Sequence, residues 1–212
     1  MTTKTIITLG RQFGSGGRAV GKKLAEDLGI PYYDKEILQR AAKESGICES
    51  LFENHDEKPT SSFLYSLVMD TYSAGYATMG MQEMPMSQKV FLAQFDTIKK
   101  IAEEGPCVIV GRCADYALEE LDNVVSVFVH APLDKRAAAS SIFSYSATRA
   151  AAKKLALQND KKRASYYNYY SNKKWGDGAT YDLCVNTGKV GIYGAAEIIK
   201  NYVIMKESRM EF

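Results

Sequence analysis

Short apolar runs alternate along this chain with longer segments in which apolar residues recur at three- and four-residue intervals. The longer spacing puts apolar side chains on one helical face. It predicts helices at Val20–Leu28, Lys35–Lys43, Val90–Ala102 and Gly191–Met205. The short runs, rich in β-branched residues, predict strands at Thr5–Leu9, Ile30–Tyr33, Cys107–Val110, Val124–Val129 and Tyr181–Val185. Strands and helices in alternation predict an α/β fold with a doubly wound parallel sheet.

A glycine-rich turn follows the first predicted strand. Three glycines in four residues let successive backbone N–H groups converge without Cβ clashes, and a helix beginning there adds the positive end of its dipole. This composition suits a phosphate cradle, formed by Gly14, Ser15, Gly16 and Gly17. Arg18 at its exit adds a fixed positive charge and paired donors. The alternative is an ordinary turn between strand and helix, since short glycine motifs recur by chance.

Length and composition limit the classes of protein. A chain of 212 residues with 46% hydrophobic composition can bury one core with appendages but is short for two independent domains. A net charge of +2 gives no general attraction for nucleic acid or an anionic membrane. Four widely spaced cysteines and two histidines favour reduced thiols over a zinc site or disulfides. Because neither a signal-peptide pattern nor a membrane-length apolar run is found, we expect a soluble cytoplasmic protein.

Two charged residues directly follow predicted strands and so reach the carboxyl edge of the sheet, where ligands gather in open α/β folds. Arg112 follows the run that ends at Val110. Asp34 follows Tyr33 and has three interpretations: a magnesium ligand, an acceptor for the proton of a substrate hydroxyl, or the cap of the next helix. Arg40, on that helix, faces either water or the same cleft.

The segment from Glu44 to Gln88 loses periodicity and is rich in tyrosine and methionine from about residue 60. Flexible methionine and amphipathic tyrosine suit an adaptable substrate-binding flap. An irregular insertion packed on the core or on another subunit explains the same composition equally well. A homo-oligomer is therefore compatible with the sequence.

A strongly basic stretch runs from Lys135 to Arg163, with eight lysines and arginines against the single carboxylate of Asp160. It is either a solvated helix face or a lid that closes over polyphosphate. Because Ala164–Tyr170 adds aromatic residues directly after it, binding of single-stranded nucleic acid is a third interpretation. The near-neutral total charge argues against a nucleic-acid partner.

Five separated motifs follow one another over nearly the whole chain: GRQFGSGGRAVGKKLAEDLGIPYYDKEILQR (Gly10–Arg40), CVIVGRCADYAL (Cys107–Leu118), VFVHAPLDKR (Val127–Arg136), DKKRASYYNYY (Asp160–Tyr170) and YDLCVNT (Tyr181–Thr187). In this order they resemble the cytidylate kinase-like family, a branch of the P-loop nucleoside monophosphate kinases. The resemblance implies a single domain, residues 1–212, with a three-layer α/β P-loop kinase fold and a parallel five-stranded sheet. It also implies a helical monophosphate-binding insertion at about 41–105 and a lid region at about 137–175.

The resemblance assigns roles to the charged residues of these motifs. It matches the phosphate loop that binds ATP to Gly14, Ser15, Gly16, Gly17 and Arg18. It matches the residues that open the monophosphate site to Asp34 and Arg40, and the arginine that grips the acceptor phosphate to Arg112. The lid arginine that reaches the transferring phosphoryl group corresponds to Arg163, with Arg136 beside it on the ATP. Asp160 and Asp182 are expected to hold these arginines in place.

The implied activity is the phosphorylation of CMP or a related small nucleotide by ATP with Mg²⁺, in which Arg18, Asp34 and Arg163 act on the reacting groups. The magnesium ligand stays unassigned, because Gly17 and Arg18 stand where the P-loop lysine is expected and Ala19 offers no hydroxyl. One alternative is a kinase for a different small acceptor. Another is a nucleotide-binding or regulatory protein with little or no kinase activity, which the missing lysine supports.

Overall fold

The structure, a computed structural model, describes residues 3–55, 85–139 and 148–210. Its strands are β1 (Ile6–Arg11), β2 (Tyr32–Tyr33), β3 (Val108–Val110), β4 (Val124–His130) and β5 (Leu183–Asn186). They pair in parallel and lie in the spatial order β2-β3-β1-β4-β5. The predicted five-stranded parallel sheet is therefore confirmed.

Helices lie on both faces of this sheet. The described helices are α1 (Gly17–Leu28), α2 (Glu36–Ser45), α3 (Glu49–His55), α4 (Met86–Glu103), α5 (Ala114–Ala117), α6 (Leu133–Ala138), α7 (Arg149–Ser171) and α8 (Thr187–Met210). The second half of the basic stretch and the tyrosine-rich segment form one continuous helix, α7. Its first turn is capped by Thr148, whose side chain accepts a hydrogen bond from Ala151 N at 3.2 Å.

The central strand of the sheet is β1, and its two neighbours bring distant segments to its carboxyl end. Leu9 is aligned with Val110 of β3, and Arg11 with Val129 of β4. Since the three strands are parallel, the residues that follow them gather at one edge of the sheet. This edge holds the glycine-rich turn and Arg112.

The two faces of the sheet have different cores. Side chains alternate between the faces along each strand. The face under α1 and α8 is aliphatic, with Ile7, Leu9, Val20, Leu24, Val127, Ile199 and Val203. The face under α4 and α7 is rich in aromatic rings, with Phe91, Phe95, Phe128, Tyr166, Tyr170 and Tyr181. The result is three layers, as predicted.

Most tyrosine rings of α7 are buried, which bears on the nucleic-acid interpretation of the basic stretch. Tyr166, Tyr167 and Tyr170 are 4%, 5% and 1% exposed. The ring of Tyr170 stacks on Phe91, with centroids 3.8 Å apart. Because these three tyrosines pack in the core, they are not available to stack on the bases of a single-stranded nucleic acid, which argues against that interpretation.

Two element boundaries differ from the sequence prediction for local reasons. The second strand shrinks to Tyr32–Tyr33, because Ile30 N bonds back to Ala25 O at the end of α1. The last helix begins at Thr187 instead of Gly191, and it bends at Gly191, where φ is 72°. Glycine tolerates this positive φ without a Cβ clash.

Some predictions fall outside the described residues. The tyrosine- and methionine-rich flap lies mostly in residues 56–84, and part of the predicted lid in residues 140–147. The division into a core, a monophosphate-binding insertion and a lid therefore stays a prediction. Within residues 3–55, 85–139 and 148–210, every helix is too short or too polar to cross a bilayer.

Candidate active site

The glycine-rich turn connects the end of β1 to the start of α1. Gly14 and Gly16 have φ values of 75° and 80°, which favour glycine. A Cβ on Gly17 would lie 2.6 Å from Arg11 Cβ, so this position also has no room for a side chain. The first N–H groups of α1 have no acceptor within the helix, and no side chain caps them at Gly16. The turn therefore leaves backbone N–H groups without a partner inside the helix, and its role as a phosphate site stays a prediction.

Asp34 links the glycine-rich turn to the end of β3. Its Oδ2 lies 2.6 Å from Arg18 Nε. On its other side, Arg112 Nη1 donates to the backbone oxygen of Asp34 at 2.6 Å and lies 3.5 Å from Oδ1. The Asp34 side chain is only 10% exposed and the Arg112 side chain 1%, whereas the Arg18 side chain is 54% exposed, so the contact with Arg112 is the buried one. Arg18, Asp34 and Arg112 thus form one cluster.

Asp34 does not cap α2, and the cap interpretation is wrong. The residue at the cap position is Lys35, without a capping side-chain bond. Glu36 instead turns back, and its Oε2 accepts a hydrogen bond from Asp34 N at 3.0 Å. The carboxylate of Asp34 is left to the two arginines.

Arg112 is held by an unusual backbone. Gly111, Arg112 and Cys113 have φ values of 79°, 56° and 55° in succession. For a residue with a Cβ, the left-handed region costs about 1–2 kcal/mol. The side chain of Arg112 is only 1% exposed. Strain of this kind gathers at functional sites, where the surrounding structure holds it.

Arg163 reaches the same edge of the sheet from α7. Its Nη1 donates to Arg11 O at 3.2 Å, and its guanidinium lies 5.7 Å from the centre of the Phe13 ring. Arg163 lines a narrow crevice together with residues of the sheet, of the segment after β3 and of the end of α7. The other lining residues include Thr8, Arg112, Asp115, Tyr167 and Trp175. Arg163 therefore shares a crevice with the Arg112 end of the cluster.

Arg136 lies behind the glycine-rich turn, where it holds the backbone. It is 4% exposed, and its Nε donates to Ala131 O at 2.9 Å. Its Nη1 donates to Phe13 O at 3.0 Å and to Asp160 Oδ2 at 2.6 Å. With Nε and Nη1 bonded to the protein, Arg136 supports the turn from the inside, and its contact with ATP stays a prediction. Asp160 holds an arginine, as expected.

Arg40 is not brought into the cluster. Its Nη1 and Nη2 donate to the two carboxylate oxygens of Glu104 at 3.0 and 2.5 Å, and its Nε donates to Glu44 at 2.8 Å. Glu104 precedes β3, whereas Arg112 follows it. Arg40 therefore lies toward the amino-terminal side of this strand, and of the two predicted orientations it takes the one away from the cleft.

Asp182 holds the backbone of a neighbouring strand. Its Oδ2 accepts hydrogen bonds from Ser126 N at 2.7 Å and from Ser126 Oγ at 2.9 Å. These bonds fasten the segment before β5 to β4. Asp182 is thus a structural residue that contacts no arginine of the cluster in the described hydrogen bonds.

Asp115 and Tyr167 were not identified from the sequence as site residues. Tyr167 OH donates to Asp115 Oδ2 at 2.5 Å on the wall of the crevice. Burial raises the pKa of Asp115, against the opposing effects of the Tyr167 hydrogen bond and of Lys173. The available signal was the position of Asp115 three residues after Arg112, in the motif GRCADY.

The residues fit a nucleotide better than they fit a protein-bound metal ion. A turn without room for a Cβ at Gly17, next to Arg18, suits phosphate oxygens. For Mg²⁺ the turn has no suitable hydroxyl: Ala19 has none, and Ser15 Oγ donates to Gln12 O at 2.9 Å. Among the described residues, no three acidic, histidine or cysteine side chains come together as ligands. The described residues thus hold no ready-made three-ligand metal cluster, and the magnesium ligand stays unassigned.

The chain is similar to known proteins over most of its length. The chain is 26% identical over 198 residues to a cytidylate kinase of Pyrococcus horikoshii, covering 93% of this chain and 87% of the relative. It is 31% identical to an uncharacterized protein from Eubacterium ventriosum of known structure, with a TM-score of 0.70 and coverage of 94% and 98% of the two chains.

A more distant likeness concerns the fold alone. The structure of shikimate kinase from Acinetobacter baumannii in complex with shikimate matches with a TM-score of 0.50 at 11% identity, over 96% of this chain and 94% of the other. The fold is thus that of the P-loop kinases. The family model described as the cytidylate kinase-like family matches residues 6–189, which include the glycine-rich turn, Asp34, Arg112 and Arg163. The chain therefore belongs to the cytidylate kinase-like family.

Proposed function

We propose that this protein is a phosphotransferase that moves the γ-phosphoryl group of ATP to CMP or a related small acceptor. The observation that carries the proposal is the position of Asp34 between Arg18 and Arg112. This contact joins the phosphate cradle to an arginine at the end of a neighbouring strand. A donor and an acceptor phosphate would meet between such elements.

The glycine-rich turn is the proposed site for the donor phosphates. Gly14 to Gly17 supply backbone N–H groups, and Arg18 supplies a positive charge on a side chain that is 54% exposed. ATP would supply the transferable phosphoryl group. Mg²⁺ would neutralise part of the charge of the ATP phosphates, and its protein ligand is unassigned.

Arg112 is the proposed partner of the acceptor phosphate. Its side chain is buried and fixed by Asp34, so its guanidinium is oriented before a substrate arrives. Orientation before binding reduces the entropy that must be lost when two reactants come together. Asp34 acts here as a positioning group for both arginines, and it lies where it could also accept the proton of an acceptor hydroxyl.

Arg163 is the proposed group on the transferring phosphoryl. Phosphoryl transfer needs little covalent chemistry from the protein, but it needs positive charge around a loosely bonded transition state. Arg163 and Arg112 line the same crevice, and Arg163 belongs to α7, a helix packed outside the sheet. A guanidinium in this position would approach the bond that is being broken.

The test is a coupled assay of ADP release with ATP, Mg²⁺ and a panel of acceptors. The panel contains the nucleoside monophosphates together with small hydroxyl and carboxylate compounds, so that a kinase for a different acceptor is also detected. We expect the highest kcat/KM with CMP or another monophosphate. Release of ADP with none of the acceptors would contradict the proposal.

A second candidate is a nucleotide-binding or regulatory protein with little or no kinase activity. The observation that favours it is the ion pair of Arg18, which stands in the position of the P-loop lysine but is bound to Asp34. A lysine at this position ordinarily contacts the phosphates that react. Calorimetric binding of ATP without transfer to any acceptor of the panel would support this candidate.

A further inference from the structure

The segment just before the glycine-rich turn is bound to α6 and α7 from both sides. Phe13 N donates to Asp160 Oδ1 of α7 at 2.7 Å, and Phe13 O accepts from Arg136 of α6 at 3.0 Å. The same Arg136 nitrogen pairs with Asp160 Oδ2 at 2.6 Å. Both polar groups of Phe13, the N–H and the C=O, thus bind to a single ion pair.

From this arrangement we propose that Asp160 is a positioning residue that couples the conformation of the glycine-rich turn to the position of α7 and its Arg163. The inference rests on the proposed function only in naming Arg163 as the group that is delivered. The coupling itself concerns the binding of ATP to the turn, with or without phosphoryl transfer.

The geometry of α7 makes the coupling direct. Arg163 stands three residues after Asp160, and residues with this spacing lie on the same side of a helix. Arg163 Nη1 donates to Arg11 O, and its guanidinium faces the ring of Phe13. A rotation of the peptide groups around Phe13 therefore changes the contacts of Asp160 and of Arg163 together.

Burial makes these contacts sensitive to geometry. The side chains of Arg136 and Asp160 are 4% and 13% exposed. Charge-assisted hydrogen bonds in such surroundings are stronger than on the surface, and a lost partner is not replaced by water without cost. The ring of Phe13 also packs against Ala137 of α6 and Ala152 of α7. The turn cannot change shape independently of the two helices.

The chain contains a natural control. Asp134 of α6 also binds α7, through Lys153 at 2.6 Å and Arg149 at 3.3 Å. This connection is exposed, with 63% of the Asp134 side chain accessible, and among the described contacts it does not include the turn. Asp134 and Asp160 therefore differ in the property under test: only Asp160 contacts the segment that precedes the cradle.

Trp175 provides a signal for the position of α7. It is the single tryptophan of the chain. Its backbone N–H donates to Asn168 Oδ1 near the end of α7 at 2.8 Å, and its ring lies edge-on to Phe128 of β4, with centroids 5.0 Å apart. A shift of α7 relative to the sheet changes this ring contact, and so the emission of the tryptophan.

The experiment titrates ATP with Mg²⁺ into the parent protein, Asp160→Asn and Asp134→Asn, with binding measured by calorimetry and Trp175 emission measured in parallel. We expect ATP to change the emission of the parent and of Asp134→Asn. Asp160→Asn should bind ATP but lose the change in emission. An amide keeps one acceptor oxygen and loses the charge, so it cannot hold both Phe13 N–H and Arg136.

Kinetics separate positioning from general stability where transfer is detected. Asp160→Asn should lower kcat about 10²-fold through misplacement of Arg163, with KM for ATP unchanged. Asp134→Asn should keep both values. If no variant, including the parent, transfers phosphate, the proposed function fails while the emission experiment still decides the coupling.

Hydrogen exchange of the parent protein gives a second measurement, which stands even if Asp160→Asn does not fold. ATP should protect backbone amides in the middle turns of α7, around Asp160 and Arg163, together with those of the glycine-rich turn. Protection confined to the turn would overturn the proposal. A folded Asp160→Asn variant whose Trp175 emission changes on ATP binding as much as that of the parent would overturn it as well.

Discussion

Arg18, directly after the glycine-rich turn, forms an ion pair with Asp34, with Arg18 Nε 2.6 Å from Asp34 Oδ2. The two residues come from different elements, the first turn of α1 and the loop after β2. Asp34 is at the same time bound to Arg112 from the end of β3. One carboxylate therefore sets the geometry of two guanidinium groups, and its loss should affect both of them.

Replacing Asp34 should destabilise the protein. In Asp34→Asn, Arg112 keeps its charge in a position where its side chain is 1% exposed, but it loses the carboxylate that lies 3.5 Å from its Nη1. Removing one partner of a buried ion pair costs about 3–5 kcal/mol. Because the Arg18 side chain is half exposed and its pair is screened by water, we expect a loss at the lower end, about 3 kcal/mol of unfolding free energy by urea denaturation.

The matched control for Asp34 is Asp27→Asn. Asp27 pairs with Lys23 one helical turn away on the surface of α1, and this exposed pair should contribute little. Added sulfate should recover part of the stability of Asp34→Asn, because an anion can replace the carboxylate between the arginines. Equal stability of the two variants would contradict the role given to Asp34.

Replacing Arg163 and replacing Arg40 should have different effects on turnover, because only Arg163 lines the crevice. Arg163→Ala removes the guanidinium from the crevice and should reduce kcat by about 10³-fold or more. Arg40→Ala removes a side chain that binds Glu44 and Glu104 near the amino-terminal end of β3, away from the crevice. Turnover should therefore stay near that of the parent. Steady-state kinetics with the preferred acceptor measure both. Near-normal turnover in a folded Arg163→Ala variant would remove the assignment of Arg163.

A methyl group in the glycine-rich turn should weaken the binding of ATP. In Gly17→Ala the new Cβ would lie 2.6 Å from Arg11 Cβ, so the backbone has to shift. Such overpacking costs about 1–3 kcal/mol. If the turn must regain its original shape to bind ATP, this cost weakens the affinity about 5- to 150-fold. Calorimetry with ATP measures the change.

Gly178→Ala is the control for the turn, because a Cβ on Gly178 would meet no atom within 4 Å. It should bind ATP like the parent. Unchanged affinity in Gly17→Ala would mean that the turn is not the phosphate site.

The stability of the protein should depend on pH through Glu207 near the end of α8. Burial opposes ionisation, but Thr3 and Thr5 hydroxyls and the N–H of Lys4 donate to the carboxylate, and the net effect lowers the pKa of Glu207 from 4.5. A pKa that is lower in the folded state gives stability that is present above the ordinary pKa. This stability is lost as the pH falls through the folded-state value.

Glu207→Gln should therefore cost about 2 kcal/mol of unfolding free energy at neutral pH. The difference from the parent should shrink in acid, where the carboxyl is protonated in both states. Urea denaturation over a pH series measures it. A difference that is constant with pH would show that ionisation of Glu207 does not contribute.

The fold was predictable from the sequence because its signals are local. Continuous apolar runs such as Val108–Val110 and the helical spacing of Val20 and Leu24 identify buried strands and helices directly. The end of a strand also locates the next residues of the chain, so Arg112 was expected at the carboxyl edge of the sheet. The glycine-rich turn carries its conformational requirement in its own composition.

The roles of the charged residues depend on contacts between distant segments, which spacing does not reveal. Asp34 has a suitable position for a helix cap, but its carboxylate pairs with two arginines instead. Arg136 belongs to a basic stretch that suggests a lid, yet Asp160 and Phe13 O bind it inside the protein. Arg40 pairs with Glu104, 64 residues away in sequence. A single sequence gives no indication of which of these partners is chosen.

The most direct measurement of the central claim is the transfer of a labelled γ-phosphoryl group from ATP to CMP by the parent protein, followed by separation of the nucleotides. We expect the label to appear in the diphosphate of the acceptor, and we expect Arg163→Ala to abolish its appearance. If ATP binds while its label moves to neither CMP nor any other acceptor of the panel, the cluster of Arg18, Asp34 and Arg112 binds nucleotides without catalysing transfer, and the account is contradicted.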